Sequence, residues 1–421
     1  MNNTKRKIAG AIATGALLLN AFTPLAFATT TIEISGNGAG SDNWVTLNQT
    51  SNTSVNQNNV ANVTNNVDAN AKTGGNDANF NTGGDVTIDT GKAESNVDIS
   101  NTLNNNSAEV ECCGPGSTNV TISGNGAKSN NGVQLDQTSN TTVNQNNVAN
   151  VNNNVDADAK TGGNDAYSNT GGDVTIRTGN AKADVDVSTT ANVNSAKVGS
   201  SLGGSNPSAS FVISGNGARS DNYITAYLAK NTSVNQNNVA NVNNNVDADA
   251  KTGGNDANFN TGGDVTIDTG DATVTVDVDN SVNFNFADVD CGCTWDVLAK
   301  ISGNGAEEDS HHHRRHRDRG DNIITLDLES NQYVGQGNVA YLDNNVDGDA
   351  KTGKNDVESN TGEVDGDPSV LTGDATSDTS VENSGNVNVD GDISPFDWPE
   401  MPDFEFSFNF MAMMAFFGMS L

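Results

Sequence analysis

The hexapeptide Ile-Ser-Gly-Asn-Gly-Ala begins at Ile34, Ile122, Ile213 and Ile301, which are 88, 91 and 88 residues apart. A chain written by copying one unit must bury the apolar face of each copy against its neighbours, and its loops take up differences between copies. The unit boundaries follow: repeat one at 29–116, repeat two at 117–204, repeat three at 205–295 and repeat four at 296–392. A Pro-, Phe- and Met-rich tail at 393–421 is left over. This arrangement points to architecture before chemistry.

Residues 1–28 have the form of an export signal. Lys5, Arg6 and Lys7 precede an apolar stretch from Ile8 to Phe22, and Ala26-Phe27-Ala28 offers small residues for cleavage. The chain that remains holds 17 Lys and Arg against 53 Asp and Glu, a formal charge near −36. Nucleic acid and anionic membrane are poor partners for such a surface, because attraction to phosphate needs the opposite sign. Aromatic residues are 5% of the chain, and much of the apolar count is Ala and Val, so a large core of the ordinary kind is not expected. Low hydropathy with high charge also marks disorder, and patterning is what argues against it.

That patterning has period two. Val55, Gln57, Asn59, Ala61, Val63, Asn65, Val67, Ala69 and Ala71 fall on one side of an extended chain, with mostly Asn, Ser, Thr and Asp on the other. In repeat three Ala272, Val274, Val276 and Val278, then Val282, Phe284 and Phe286, alternate in the same way, which predicts that both phenylalanines share the face of the valines. Between the two runs lie Thr73-Gly74-Gly75-Asn76-Asp77, Asn81-Thr82-Gly83-Gly84-Asp85 and Thr90-Gly91, which are turn sequences. Repeat four departs from them, with Lys354 at the second glycine and Glu363 further on. The fold expected is all-β: a solenoid-like repeat protein, either a parallel β-helix or stacked β layers, with a separate C-terminal tail. Units of near-equal length stacked in register would place Asn over Asn in amide ladders. They would also place Asp68, Asp156, Asp247 and Asp347 in one column, and Lys72, Lys160, Lys251 and Lys351 in another.

Ser54-Val55-Asn56-Gln57-Asn58-Asn59-Val60-Ala61, and Val334-Gly335-Gln336-Gly337-Asn338-Val339-Ala340, resemble the Gln/Gly/Asn/Ala core of curlin repeats, the subunits of bacterial amyloid surface fibres. The resemblance implies an exported β-chain that stacks upon itself.

Candidate sites are few. The Gly-Gly-Asp turns resemble the calcium turns of secreted β-roll proteins, which makes Asp77, Asp85, Asp165, Asp173, Asp256 and Asp264 candidate Ca²⁺ ligands. His311, His312, His313 and His316 cluster with arginines in an insertion of repeat four, and imidazoles there could hold a transition metal. A contact between this loop and an acidic neighbour is the alternative. Cys112, Cys113, Cys291 and Cys293 stand at the ends of repeats one and three; in an exported chain they are disulfide candidates, with a four-thiolate zinc site as the alternative. Phe404, Phe406, Phe408 and Phe410 alternate in the tail, as a strand seeking a partner or a cap on the last repeat would. Residues Gly348 to Asn355 imitate a phosphate loop, yet Asn355 stands where Ser or Thr should hold magnesium, and no helix pattern follows. No catalytic residue emerges. The expectation is a non-catalytic exported structural or adhesive protein of the cell surface, a fibre, stalk or adhesin, whose partner is another copy or an envelope component. A calcium-dependent or glycan-binding solenoid is the alternative, and a β-helix enzyme acting on polysaccharide is a more distant one.

Overall fold

The computed structural model describes residues 30–110, 117–199, 208–290, 296–304, 321–362 and 368–391. All its regular elements are strands. Repeat one contributes β1 (Thr30–Ser35), β2 (Asp42–Lys72), β3 (Val86–Thr90) and β4 (Ala93–Val110). Repeat two contributes β5 (Thr118–Ser123), β6 (Asn130–Lys160), β7 (Asp165–Tyr167), β8 (Val174–Thr178) and β9 (Ala181–Gly199). Repeat three has β10 (Ser208–Ser214), β11 (Asp221–Lys251), β12 (Asp256–Asn258), β13 (Val265–Asp268) and β14 (Ala272–Asp290). Repeat four has β15 (Asp296–Ser302), β16 (Asn322–Lys351), β17 (Ser369–Leu371) and β18 (Ala375–Asp390). Among the described residues no helix is long and apolar enough to cross a membrane.

Each repeat forms one flat layer, and the four layers stack in sequence order as parallel sheets β1-β5-β10-β15, β2-β6-β11-β16, β3-β8-β13-β17 and β4-β9-β14-β18. Like pairs with like: Val55 with Val143, Val143 with Val234, and Val234 with Val334. The solenoid expected from the repeat spacing is therefore the fold. A strand of 31 residues such as β2 spans roughly 100 Å, whereas four layers rise only about 19 Å, so the body is a long, shallow slab.

Within a layer the chain runs out along β2 and returns along β4. Gln57 Nε2 donates to the Ser107 carbonyl at 2.8 Å, Ser95 Oγ to the Ala69 carbonyl at 2.9 Å, and Thr73 Oγ1 to the Gly91 carbonyl at 2.8 Å. β1 faces the beginning of β2, where Gln49 Nε2 reaches Thr30 Oγ1 at 3.3 Å. The space between is filled by separate apolar clusters, not by one continuous core. One surrounds Val45, Val133, Phe211 and Ile224, another Val143, Ala196 and Val234, a third Val151, Ala191 and Val242, and a fourth Ala157, Val185 and Val276.

Buried amides separate these clusters. Asn106 Nδ2 donates to Asn147 Oδ1 across the slab and to Asn194 Oδ1 in the layer above, each at 2.9 Å; Asn194 repeats the pattern toward Asn238 at 2.8 Å and Asn285 at 3.0 Å. Gln145 Nε2 bonds Gln57 Oε1 at 2.7 Å, and Gln236 Nε2 bonds Gln145 Oε1 at 2.8 Å. A buried amide is tolerated only when its donors and acceptors are met, and a satisfied bond of this kind contributes about 1 kcal/mol. Stacking identical residues meets both at once.

One feature of the return strand departs from the simple alternation. Asn104, Asn192, Asn283 and Asn386 all have positive φ, of 55°, 63°, 65° and 56°. Each puts a left-handed kink into its strand at the same level of every layer, and pairing resumes one residue later in unchanged register, with Asn105 over Val193 and Phe284 over Val387. The kink reverses which residues face inward. Asn285 and Ala287 are fully buried, while Phe284 and Phe286 lie half-buried on the opposite face. The placement of both phenylalanines beside the valines is thus corrected. Asparagine holds the left-handed conformation because its amide is anchored: Asn192 Nδ2 donates to the Val239 carbonyl at 2.8 Å on the facing strand and to Asn283 Oδ1 at 2.9 Å.

Asn192→Ala removes those bonds, takes away the oxygen that accepts from Asn104 Nδ2 at 2.9 Å, and leaves the left-handed conformation without the side-chain hydrogen bonds that hold it. The expected loss is roughly 2–4 kcal/mol, against well under about 1 kcal/mol for Asn62→Ala in an exposed ladder. Thermal denaturation followed by circular dichroism separates the two; equal losses would contradict the role given to the kink.

Candidate functional site

Two regions combine chemistry with exposure: the turns at the narrow end of the slab, and the two outermost layers. In the turns, Gly74, Gly162 and Gly253 stack so closely that a β-carbon on Gly74 would come within 1.8 Å of the Gly162 carbonyl oxygen, so no side chain fits. Asn76, Asn164, Asn255 and Asn355 form a ladder just beyond, with Asn164 Nδ2 to Asn255 Oδ1 at 2.8 Å. Lys354 takes the place of Gly75 with φ of 56°, a strained exception confined to the last layer.

The six calcium candidates fall into two vertical files. Asp77, Asp165 and Asp256 are bridged in one file with Asp356. Asp85, Asp173 and Asp264 occupy the other, and there the Asp173 N–H donates to Asp85 Oδ1 at 3.0 Å and the Asp264 N–H to Asp173 Oδ1 at 2.9 Å. One oxygen of Asp85 and one of Asp173 are therefore engaged by the backbone of the layer above. Among the described residues no group of three or more His, Cys, Asp or Glu is gathered as a metal would require. The histidines at 311–316, the four cysteines and Phe404, Phe406, Phe408 and Phe410 lie outside the described residues.

Charge is arranged by column. Repeat two supplies cations between the acids of its neighbours: Arg177 lies between Asp89 and Asp268, and Lys197 between Glu109 and Asp288. In the lysine column Lys160 pairs with Asp158 at 2.7 Å, and Lys251 and Lys351 pair with Asp249 and Asp349. Other columns are uncompensated. Burial, then Asp98 and Asp277 above and below, raise the pKa of Asp186. Burial, then Asp249 and the column neighbours Asp156 and Asp347, do the same to Asp247. Asp256 is raised by burial and by Asp356 and Asp165, and Asp279 by burial, Glu382 and Asp277.

Two groups of aromatic side chains were not among the sequence candidates. Phe80, Tyr167 and Phe259 pile across three layers at the turns, with centroid separations of 5.7 and 5.2 Å. Trp44 lies over Gly132 and stacks on Tyr223 at 6.3 Å with planes 9° apart; a β-carbon on Gly132 would collide with its ring. In the pile the residues are offset by one position between repeats, Tyr167 preceding the equivalent of Phe80, so a column-by-column comparison passes over them.

The outermost layers leave main-chain groups open. Ser41 carbonyl and Thr73 N–H, at the two ends of β2, both point to layer two, bonding Asn130 and Lys160. Alternation along a strand then turns the N–H and C=O of even-numbered residues in β2 to the open side. By the same rule the Asp321 and Lys351 carbonyls point down to layer three, so even-numbered residues of β16 present theirs upward.

No protein-family model, curated protein or solved structure matches the chain.

The raised carboxylates make stability depend on pH in a definite direction. A native state that holds these protons more tightly than the unfolded chain is least penalised below the unfolded carboxylate pKa of about 3.9, and loses stability as pH rises through the raised values. The melting temperature is expected to rise on acidification from pH 7 to pH 4.5, and Asp186→Asn with Asp247→Asn to flatten that rise. Calorimetry across this range checks it; a melting temperature that falls with acidification would contradict the assignment.

Proposed function

We propose that this chain is a non-catalytic, exported structural protein of the cell surface or extracellular matrix, acting as a fibre, stalk or adhesin. The observation that carries the reading is the in-register stack with amide ladders running through it, which makes a stiff slab from a chain poor in large apolar residues. A fold whose polar residues recur in every layer has no unique place for a reaction, and its chemistry lies in repetition. The export-signal pattern at residues 1–28 and the curlin-like segments at Ser54–Ala61 and Val334–Ala340 agree with this placement, and the uncompensated acidic columns keep the surface hydrated. Immunogold labelling of intact producing cells with antibody to the repeat tests it. Label on extracellular or surface material is the expected result, and label confined to the cell interior overturns the reading.

A second reading is glycan binding on the broad outer face. It is favoured by the Trp44–Tyr223 stack, since Trp44 remains 51% exposed beside a strip of Asn and Thr side chains. Flat exposed rings of this kind stack on sugar faces. Retention on a glycan array that disappears with Trp44→Ala would support it, and retention unchanged by that substitution would remove it.

A further inference from the structure

The geometry points to head-to-tail polymerisation, in which layer four of one copy docks on layer one of the next and extends the slab along its stacking axis. This rests on the structural role proposed above and specifies its partner as a second copy of this chain.

The first support is the direction of the ladders. Inward-facing asparagines donate upward: Asn43 to Asn131 to Asn222 to Asn322, and Asn104 to Asn192 to Asn283 to Asn386. Outward-facing ones donate downward, as from Asn331 to Asn231 to Asn140 to Asn52. Each column therefore ends in a donor on one side of the slab and an acceptor on the other. A layer one placed on top would bring Asn43 Oδ1 to Asn322 and Asn104 Oδ1 to Asn386, continuing the ladders. Top against top would set donor against donor.

The second support is shape. The column Leu103, Ala191, Val282 ends in Gly385, beside a hollow lined by Val282, Ala340 and Leu342. In a head-to-tail stack the bulkiest member, Leu103, lies over that hollow. The third support is charge. β16 carries Asp327, Glu329, Asp343, Asp347 and Asp349 against Lys351, whereas β2 carries only Asp42, Asp68 and Lys72. Asn70 replaces the aspartate that pairs with lysine in the other layers, and Asp349 of the copy below would stand beside it, next to Lys72. Layer four against layer four would instead double every acidic column.

Because inward residues turn their main chain upward and outward residues turn theirs downward, either end can be blocked without touching an internal ladder bond. Val60→Pro with Asn66→Pro removes two open N–H groups beneath layer one, and Val334→Pro with Val346→Pro removes two above layer four. In sedimentation of the purified chain, the unmodified protein is expected to form long assemblies, and each blocked variant to remain single. An equimolar mixture of the two variants is expected to form a species of twice the single-chain mass, since each retains the end the other has lost. A blocked variant that pairs with itself, or a mixture that stays single while both variants keep the β circular dichroism and melting of the parent, overturns head-to-tail docking. Should a variant lose its fold, fibre diffraction of the unmodified assembly decides: a reflection near 4.8 Å along the long axis is expected, and its absence overturns the proposal. Single chains in solution together with surface label on cells would sink this docking and leave the structural role standing.

Discussion

The structure depends on the parallel, in-register superposition of identical side chains. Main-chain bonding alone would permit any parallel stack, but only superposition of like on like lets Gln145 and Asn194 each meet an identical amide above and below. A one-residue slip would move every buried amide to the solvent face and every solvated residue into the gap between sheets. The amide ladders are thus both cohesion and register, and they let a chain whose interior is mostly Ala and Val dispense with bulky apolar residues.

The same superposition has a cost that the sequence distributes unevenly. Repeating an acid repeats its repulsion, and in the columns through Asp186 and Asp247 burial, with that repulsion added, raises the carboxyl pKa. Elsewhere repeat two carries Arg177 and Lys197 where its neighbours carry acids, so that sign alternates along the stack. The repeats are therefore copies in their inward residues and complements in some outward ones. Selection for stacking and selection for charge act on opposite faces of the same strand.

Much of the fold was legible in the chain. Nearly equal spacing of the Ile-Ser-Gly-Asn-Gly-Ala segments gave the layers, and period two from Val55 to Ala71 gave the inward face of β2, with the aspartate and lysine columns following from both. The kink at Asn104, Asn192, Asn283 and Asn386 was not legible, because an asparagine among asparagines carries no local mark, and what holds it left-handed is a carbonyl on the facing strand. That is why Phe284 and Phe286 were assigned to the wrong face. The turn aspartates were found by type, but the engagement of Asp85 and Asp173 by backbone N–H groups is a product of stacking, and spacing alone does not disclose it.

β17 is only three residues long and pairs with β13 over Thr266 to Asp268, whereas β3 pairs with β8 over five residues. A load applied perpendicular to the layers is carried by all the bonds of an interface together, so rupture begins where an interface is thinnest. Among the described residues that pairing is thinnest between the third and fourth repeats, so a load along the stacking axis opens this corner first, and the last repeat peels away while still tethered to the third through the chain.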